Sequence, residues 1–242
     1  MESDNNASVR DSNAAAGARD ANELRERHAE LTARLRRVAE SNGHDPERLR
    51  IVGVTKTHPP ELVRAAFEAG ITLLGENRVQ EAEPKIAAVP EAEWHFIGRL
   101  QSNKVRRAIG GFAVIHSVDS AELLERVDSV AAEERHPLRV LLQVDVSGEA
   151  SKAGLDPDAL DSITGPHTAR LVGLMTMAPM GATRDQARAV FGRLRLLRDR
   201  LEERLGMALP ELSMGMSADA EAAAAEGATL VRIGTALFGP RA

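Results

Sequence analysis

Eight short apolar runs, each followed by a breaker or an amphipathic stretch, constrain this 242-residue chain more than any other feature. They fall at residues 51–57, 71–74, 94–97, 112–115, 140–146, 171–175, 211–213 and 229–233. A short apolar run bounded by turn signals reads as a strand buried on both faces. Between the runs, apolar residues three and four apart mark helices. Leu62, Val63, Ala66 and Phe67, closed by Gly70, form one; Leu123, Leu124, Val127 and Val130 another; Ala187, Val190, Phe191, Leu194, Leu197 and Leu201 a third. Further helices are expected at 79–86, 101–109, around 159–163 and at 218–225. Eight strands alternating with helices predict a parallel α/β fold, and so many in roughly 200 residues predict a single (β/α)8 TIM-type barrel. A doubly wound sheet would carry G-x-G-x-x-G after its first strand, and Val54-Thr55-Lys56-Thr57 is unlike that. Ahead of the barrel, Leu24, His28, Leu31, Leu35 and Val38 line one face of a helix that starts near Asp20 and stops at Asn42-Gly43. Residues 1–19, rich in Ser, Asn, Asp and Ala, read as a disordered tail, which leaves 20–242 for the barrel and its leading helix.

Composition removes several classes of function. Without cysteine there is no thiolate nucleophile, disulfide or thiolate metal site. No His, Asp and Glu set has metal-ligand spacing. A net charge of −5 gives no general attraction to nucleic acid or anionic membrane, and the basic stretch with Lys104, Arg106 and Arg107 reads as a solvated face. No apolar stretch approaches the ~18 residues of a membrane span, and no signal pattern opens the chain, so a cytoplasmic protein is expected.

A barrel carries its chemistry at the carboxyl ends of its strands. Here those ends offer Lys56; Glu76-Asn77; His95 with Gly98; His116; Asp145 with Ser147; Met175; Ser213 with Ser217; and Arg232 with Gly234-Thr235. His95 is either a hydrogen-bonded wall residue or a proton carrier, His116-Ser117 reads as a cap of the next helix, and Asp145 as a loop carboxylate. Lys56 either reaches out to water or sits in a half-dry mouth, where desolvation favours the neutral, nucleophilic amine. Ser217 is the natural N-cap of the helix at 218–225, and Gly234-Thr235 opens a short turn. Each alone is an ordinary cap. Together they occupy the two loops between which barrels hold phosphate. Arg232 lies between them, free to meet a ligand or to pair structurally. A lysine, a phosphate cradle and an arginine fit a small phosphate-bearing aldehyde, of which pyridoxal 5′-phosphate (PLP) is the leading candidate. Arginine stays protonated, so at the ring nitrogen it would leave PLP a weak electron sink.

Several longer motifs occur in order: Val-Thr-Lys-Thr (54–57), Gly-Glu-Asn-Arg-Val-Gln-Glu (75–81), Trp-His-Phe-Ile-Gly-Arg-Leu-Gln-Ser-Asn-Lys (94–104), His-Ser-Val-Asp (116–119), Gly-Leu-Met (173–175), Ser-Met-Gly-Met-Ser-Ala-Asp (213–219) and Val-Arg-Ile-Gly-Thr-Ala-Leu-Phe-Gly (231–239). With them the chain resembles the YggS/PROSC family of pyridoxal phosphate homeostasis proteins over about residues 24–239. The resemblance implies a barrel like the N-terminal domain of alanine racemase, of fold type III, with PLP held as a Schiff base on Lys56. It also implies cofactor-binding roles for Asn77, Ser213, Ser217, Arg232, Gly234 and Thr235. The expected protein is a monomer that stores PLP or hands it transiently to apo PLP-dependent enzymes, with no catalytic residues and no turnover. The rival is an alanine-racemase-like enzyme. That chemistry needs an acid/base group on each face, the second being a tyrosine from a separate domain. The sequence has no tyrosine and ends at Ala242, which leaves His95 as the substitute such an enzyme would need. A Schiff-base aldolase is a further rival, but its lysine belongs on strand six, where Gly173-Leu174-Met175 stands.

Overall fold

The computed structural model describes residues 3–147 and 153–239; residues 1–2 of the expected tail and 148–152 and 240–242 of the expected barrel lie outside these. Eight parallel strands close in chain order: β1 (Arg50–Val54), β2 (Leu73–Glu76), β3 (Glu93–Phe96), β4 (Val114–Val118), β5 (Arg139–Gln143), β6 (Arg170–Met175), β7 (Glu211–Met216) and β8 (Leu230–Ile233), with β8 pairing back onto β1. The helices between them are α2 (Pro60–Glu68), α3 (Val79–Ala88), α4 (Val105–Ile109), α5 (Ala121–Glu133), α6 (Arg184–Leu205), α7 (Ala220–Ala225) and α8 (Thr235–Phe238). The crossover from β5 to β6 carries a 3-10 helix at Pro157–Ser162 in place of the α-helix expected around 159–163. Proline opens that segment, and short connectors of this kind commonly take the tighter 3-10 form.

Alternation along the strands sorts their residues into two layers. Ile51, Leu74, Trp94, Phe96, Ile115, Val140, Leu142, Leu174, Leu212, Val231 and Ile233 face outward into one continuous apolar core beneath the helices. Inside the barrel a small cluster of Val114, Leu141 and Met175 is the apolar filling. Buried polar side chains, His95, His116, Ser213 and Arg232 among them, occupy the strands beside it.

Three boundaries differ from expectation in ways that matter. β2 begins two residues later than the apolar run suggests, so Glu76 lies within the strand and is fully buried. β4 also starts later, which places His116 and Ser117 inside it; the cap of α5 is Ser120, whose hydroxyl accepts from the Leu123 N–H at 3.1 Å. The leading helix, α1 (Ser3–Ser41), is helical through residues expected as a tail. Ala14, Ala15, Ala16 and Ala18 are strong helix formers within this stretch, set against Gly17 and several Ser, Asn and Asp. From residue 21 onward α1 buries Ala21, Leu24, Leu31, Leu35 and Ala39 and packs on α2, α7 and α8.

Candidate functional site

At the carboxyl end of the barrel a cavity of about 330 Å³ is lined by Val54, Lys56, Asn77, Ile97, Met177, Met216, Ser217, Ala218, Arg232, Gly234 and Thr235. Six residues singled out from sequence meet there: Lys56, Asn77, Ser217, Arg232, Gly234 and Thr235. Ser213 does not line the cavity; it is fully buried behind Arg232.

Lys56 follows the end of β1 from a clamped backbone. The Thr55 N–H donates to the Gly75 carbonyl at 3.0 Å, its hydroxyl donates to Glu76 Oε1 at 2.6 Å, and its carbonyl accepts from Lys85 Nζ at 2.7 Å. Lys85 also pairs with Glu76 Oε1 at 2.6 Å, and both side chains are buried. Thr57, next after Lys56, takes φ 69°, a left-handed conformation unusual for a β-branched residue. Asn77 is held by close packing, since a Cβ on Gly98 would stand 2.1 Å from the Asn77 carbonyl oxygen.

On the opposite wall, Gly215 at φ 90° accompanies a register shift between Ser213 and Met216 that brings Met216 and Ser217 to the rim. Here one expectation is corrected: Ser217 is not the cap of α7. The N-cap is Asp219, which accepts the Met216 N–H through its side chain, and the strand runs three residues further than its apolar run. The Ser217 oxygen instead accepts from the Ala236 N–H at 3.3 Å, so it ties the loop after β7 to the first turn of α8. Both loops therefore do converge, through a bond that strand-by-strand reading cannot supply.

Arg232 is 5% exposed, and its neighbours are neutral acceptors: Ser213 Oγ at 2.6 Å and the Thr176 carbonyl at 2.9 Å. Burial pulls its pKa down to about 10, with some opposing support from Asp219, and it remains a cation at neutral pH. None of the residues lining the cavity is a carboxylate. Two cationic side chains thus share a concave site with amide and hydroxyl donors and no internal counter-charge, an arrangement that favours an anion.

His95 and His116 lie below this wall. His116 Nδ1 is 2.7 Å from Ser213 Oγ, His116 Nε2 is 2.7 Å from His95 Nδ1, and His95 Nε2 is 3.0 Å from Glu93 Oε1. His95 is therefore a buried wall residue, not a cavity residue placed to replace a missing tyrosine. Desolvation lowers both histidine pKa values, well below the ordinary range for His116, where His95 and Arg232 add to the effect. The hydrogen bond from His95 holds the Glu93 carboxyl down to about 2, with Arg139 assisting. The sign follows from proton uptake. Below the ordinary histidine value of 6.5 the unfolded chain binds more protons than the folded one, so stability falls as pH falls through that value. The Glu93 contribution is full above 4.5 and is lost as pH falls from there towards 2. Urea midpoints should accordingly be lower at pH 5.5 than at pH 7.5, values chosen to bracket the histidine range at about 6.5. His28, also depressed by burial, shares this window, so His116→Gln should flatten the dependence without erasing it. An unchanged slope in that variant would contradict the assignment.

The basic helix has a structural explanation. Arg106 pairs with Glu133 at the end of α5 and with its C-cap Glu134, and Arg107 with Glu83 on α3 at 2.6 Å, so the charge of both arginines is met within the fold. Sequence reading missed the Lys85–Glu76 pair. Its signal was the helical spacing of Val79, Ala82 and Lys85, which puts a lysine on the buried face of α3.

The profile of the alanine racemase N-terminal domain family matches residues 27–242. A pyridoxal phosphate homeostasis protein of Pseudomonas aeruginosa is 44% identical over 225 residues, covering 90% of this chain and 96% of that protein. That of Aquifex aeolicus is 41% identical over 223 residues, covering 89% and 97%. The solved structure of PipY from Synechococcus elongatus, with PLP bound, superimposes with a TM-score of 0.79 at 38% identity, covering 89% of this chain and all of that one, 100%. With the closed barrel and this extent of likeness, the chain belongs to the pyridoxal phosphate homeostasis protein family, built on the alanine racemase N-terminal domain.

Proposed function

We propose that this chain binds PLP in the cavity at the carboxyl end of the barrel and serves PLP homeostasis, holding and releasing the cofactor without turning over an amino acid. One observation carries the reading: Lys56 and Arg232 face a cavity whose other polar side chains, Asn77, Ser217 and Thr235, can all donate and whose lining holds no carboxylate. The names of the relatives and the PLP bound by PipY support it. When bound, PLP supplies an aldehyde that condenses with an amine and a pyridine ring able to accept electrons. Lys56 would provide that amine as a Schiff base. Ser217, Gly234 and Thr235 would hold the phosphate through hydroxyl and backbone donors, with Asn77 on the facing rim. Arg232 would face the ring nitrogen as a permanent donor. A donor there leaves the nitrogen unprotonated, which keeps the ring a weak electron sink and favours holding over turnover.

Adding PLP to the purified protein should generate a visible absorbance band that borohydride abolishes, and peptide mapping should then find the label on Lys56. A label on Lys85, Lys104 or Lys152 in its place would reject the site. Incubation with L-alanine followed by chiral analysis tests the absence of turnover. A rate above ~1 s⁻¹, within the ordinary enzyme range, would make the protein a racemase and not a carrier.

A further inference from the structure

The hydrogen bonds beneath Arg232 form an unbroken line across the barrel. It starts at Glu93, the first residue of β3, and ends at Arg232, the third residue of β8. Its links are Glu93 Oε1 to His95 Nε2 at 3.0 Å, His95 Nδ1 to His116 Nε2 at 2.7 Å, His116 Nδ1 to Ser213 Oγ at 2.7 Å, and Arg232 Nη1 to Ser213 Oγ at 2.6 Å. The far end therefore lies at the mouth opposite the cavity, where Glu93 is partly open to solvent and pairs with Arg139 at 2.7 Å.

Donor and acceptor capacity fixes the direction of the whole line. An ionised carboxylate only accepts, so His95 must carry its hydrogen on Nε2 and accept at Nδ1. His116 must then donate from Nε2 and accept at Nδ1, and the acceptor there receives the only hydrogen that Ser213 has. Ser213 is left with its lone pairs turned to the guanidinium, which can only donate. We propose that Glu93, His95 and His116 are positioning residues for Arg232: the carboxylate at one mouth of the barrel sets the hydrogen-bond direction that orients the guanidinium at the other. A neutral amide at position 93 permits the opposite direction, with both imidazoles carrying hydrogen on Nδ1. His116 would then donate to Ser213, whose oxygen would accept from both His116 and Arg232 while its own hydrogen lost its acceptor and had to turn elsewhere, disturbing the contact with the guanidinium.

The charged groups around the line are consistent with neutral imidazoles. Arg50 on β1, Arg139 on β5 and Arg232 on β8 all disfavour a proton on His116, as does His95 itself. Glu93 is the carboxylate bonded to the line, while Glu211 on β7 is engaged by Arg50 and by the Thr229 hydroxyl at 2.6 Å. Asp219 acts on the Arg232 end.

The effect on ligand rests on the PLP reading above, but the line can be tested without PLP. Nitrogen-15 NMR of the full chain labelled at histidine should show His95 and His116 both as the Nε2–H tautomer at neutral pH. Either ring as the Nδ1–H tautomer, or protonated, rejects the proposal. In Glu93→Gln the His116 resonances should move although residue 93 does not touch that ring. Resonances that stay in place mean the line transmits nothing. With PLP added, the same variant should bind about two- to thirtyfold more weakly, the range for coupling through a packed network. A shifted His116 with unchanged PLP affinity also rejects the role at Arg232. If the wild type binds no PLP while both tautomers are as stated, it is the ligand reading that fails and not the line.

Discussion

Lys85→Met is expected to destabilise the protein by about 3–5 kcal/mol, the cost of leaving one member of a buried ion pair without its partner. Lys85 Nζ is 2.6 Å from Glu76 Oε1, and the two side chains are 6% and 0% exposed. The Glu76 Oε2 atom already has no hydrogen-bond partner, so removing the lysine leaves the carboxylate with the Thr55 hydroxyl alone. The double replacement Glu76→Leu, Lys85→Met should recover much of the loss, because exchanging a whole buried pair for apolar groups is often close to neutral. Denaturant titration of the two variants checks both statements. A loss under about 1 kcal/mol in Lys85→Met, the value of an exposed pair, would mean that the pair is hydrated.

Ser217→Ala and Thr235→Ala should each weaken PLP binding by about ten- to a hundredfold, since a hydrogen bond to a charged group contributes roughly 1.5–3 kcal/mol. The two effects should differ in origin. Ser217 also accepts the Ala236 N–H, so its loss loosens the contact between the two loops as well as removing a donor. Thr235 has no such structural bond among those described and should act on the ligand alone. The double variant should be weaker than either single one but short of additive, because both hydroxyls address one ligand. Titration followed by absorbance measures all three. Wild-type affinity in both single variants would place the phosphate elsewhere.

Much of this architecture is legible from local pattern. Eight apolar runs with their breakers yield the strand count, the order and the end at which chemistry sits, and so bring Lys56, Asn77, Ser217, Arg232, Gly234 and Thr235 to one cavity. What stays hidden depends on closure. His95 stands in an apolar run and His116 just past one, reading as a helix cap, until the sheet wraps and gives them each other as partners. Ser213 reads as a rim hydroxyl because its apolar run ends there, whereas the strand continues to Met216 and leaves it inside. Spacing places Lys85 on the buried face of α3, but its partner appears only once Glu76 falls within β2 and turns towards it. In each case the deciding partner lies on another strand or helix, beyond the reach of periodicity.

The clamp on Thr55 and the left-handed turn at Thr57 have a kinetic consequence. With Thr55 on one side held through its backbone and hydroxyl and the chain on the other committed to a tight turn, the Lys56 amine moves on a side-chain tether anchored at a fixed point. Its local concentration at the cavity does not fall when its bond to a ligand opens. In the proposed PLP site each opening would be a contest between recapture by the same amine and escape from the loops that would hold the phosphate. If PLP binds as proposed, residence time would be set by the grip on phosphate, with the lysine a latch that re-engages for as long as the phosphate stays.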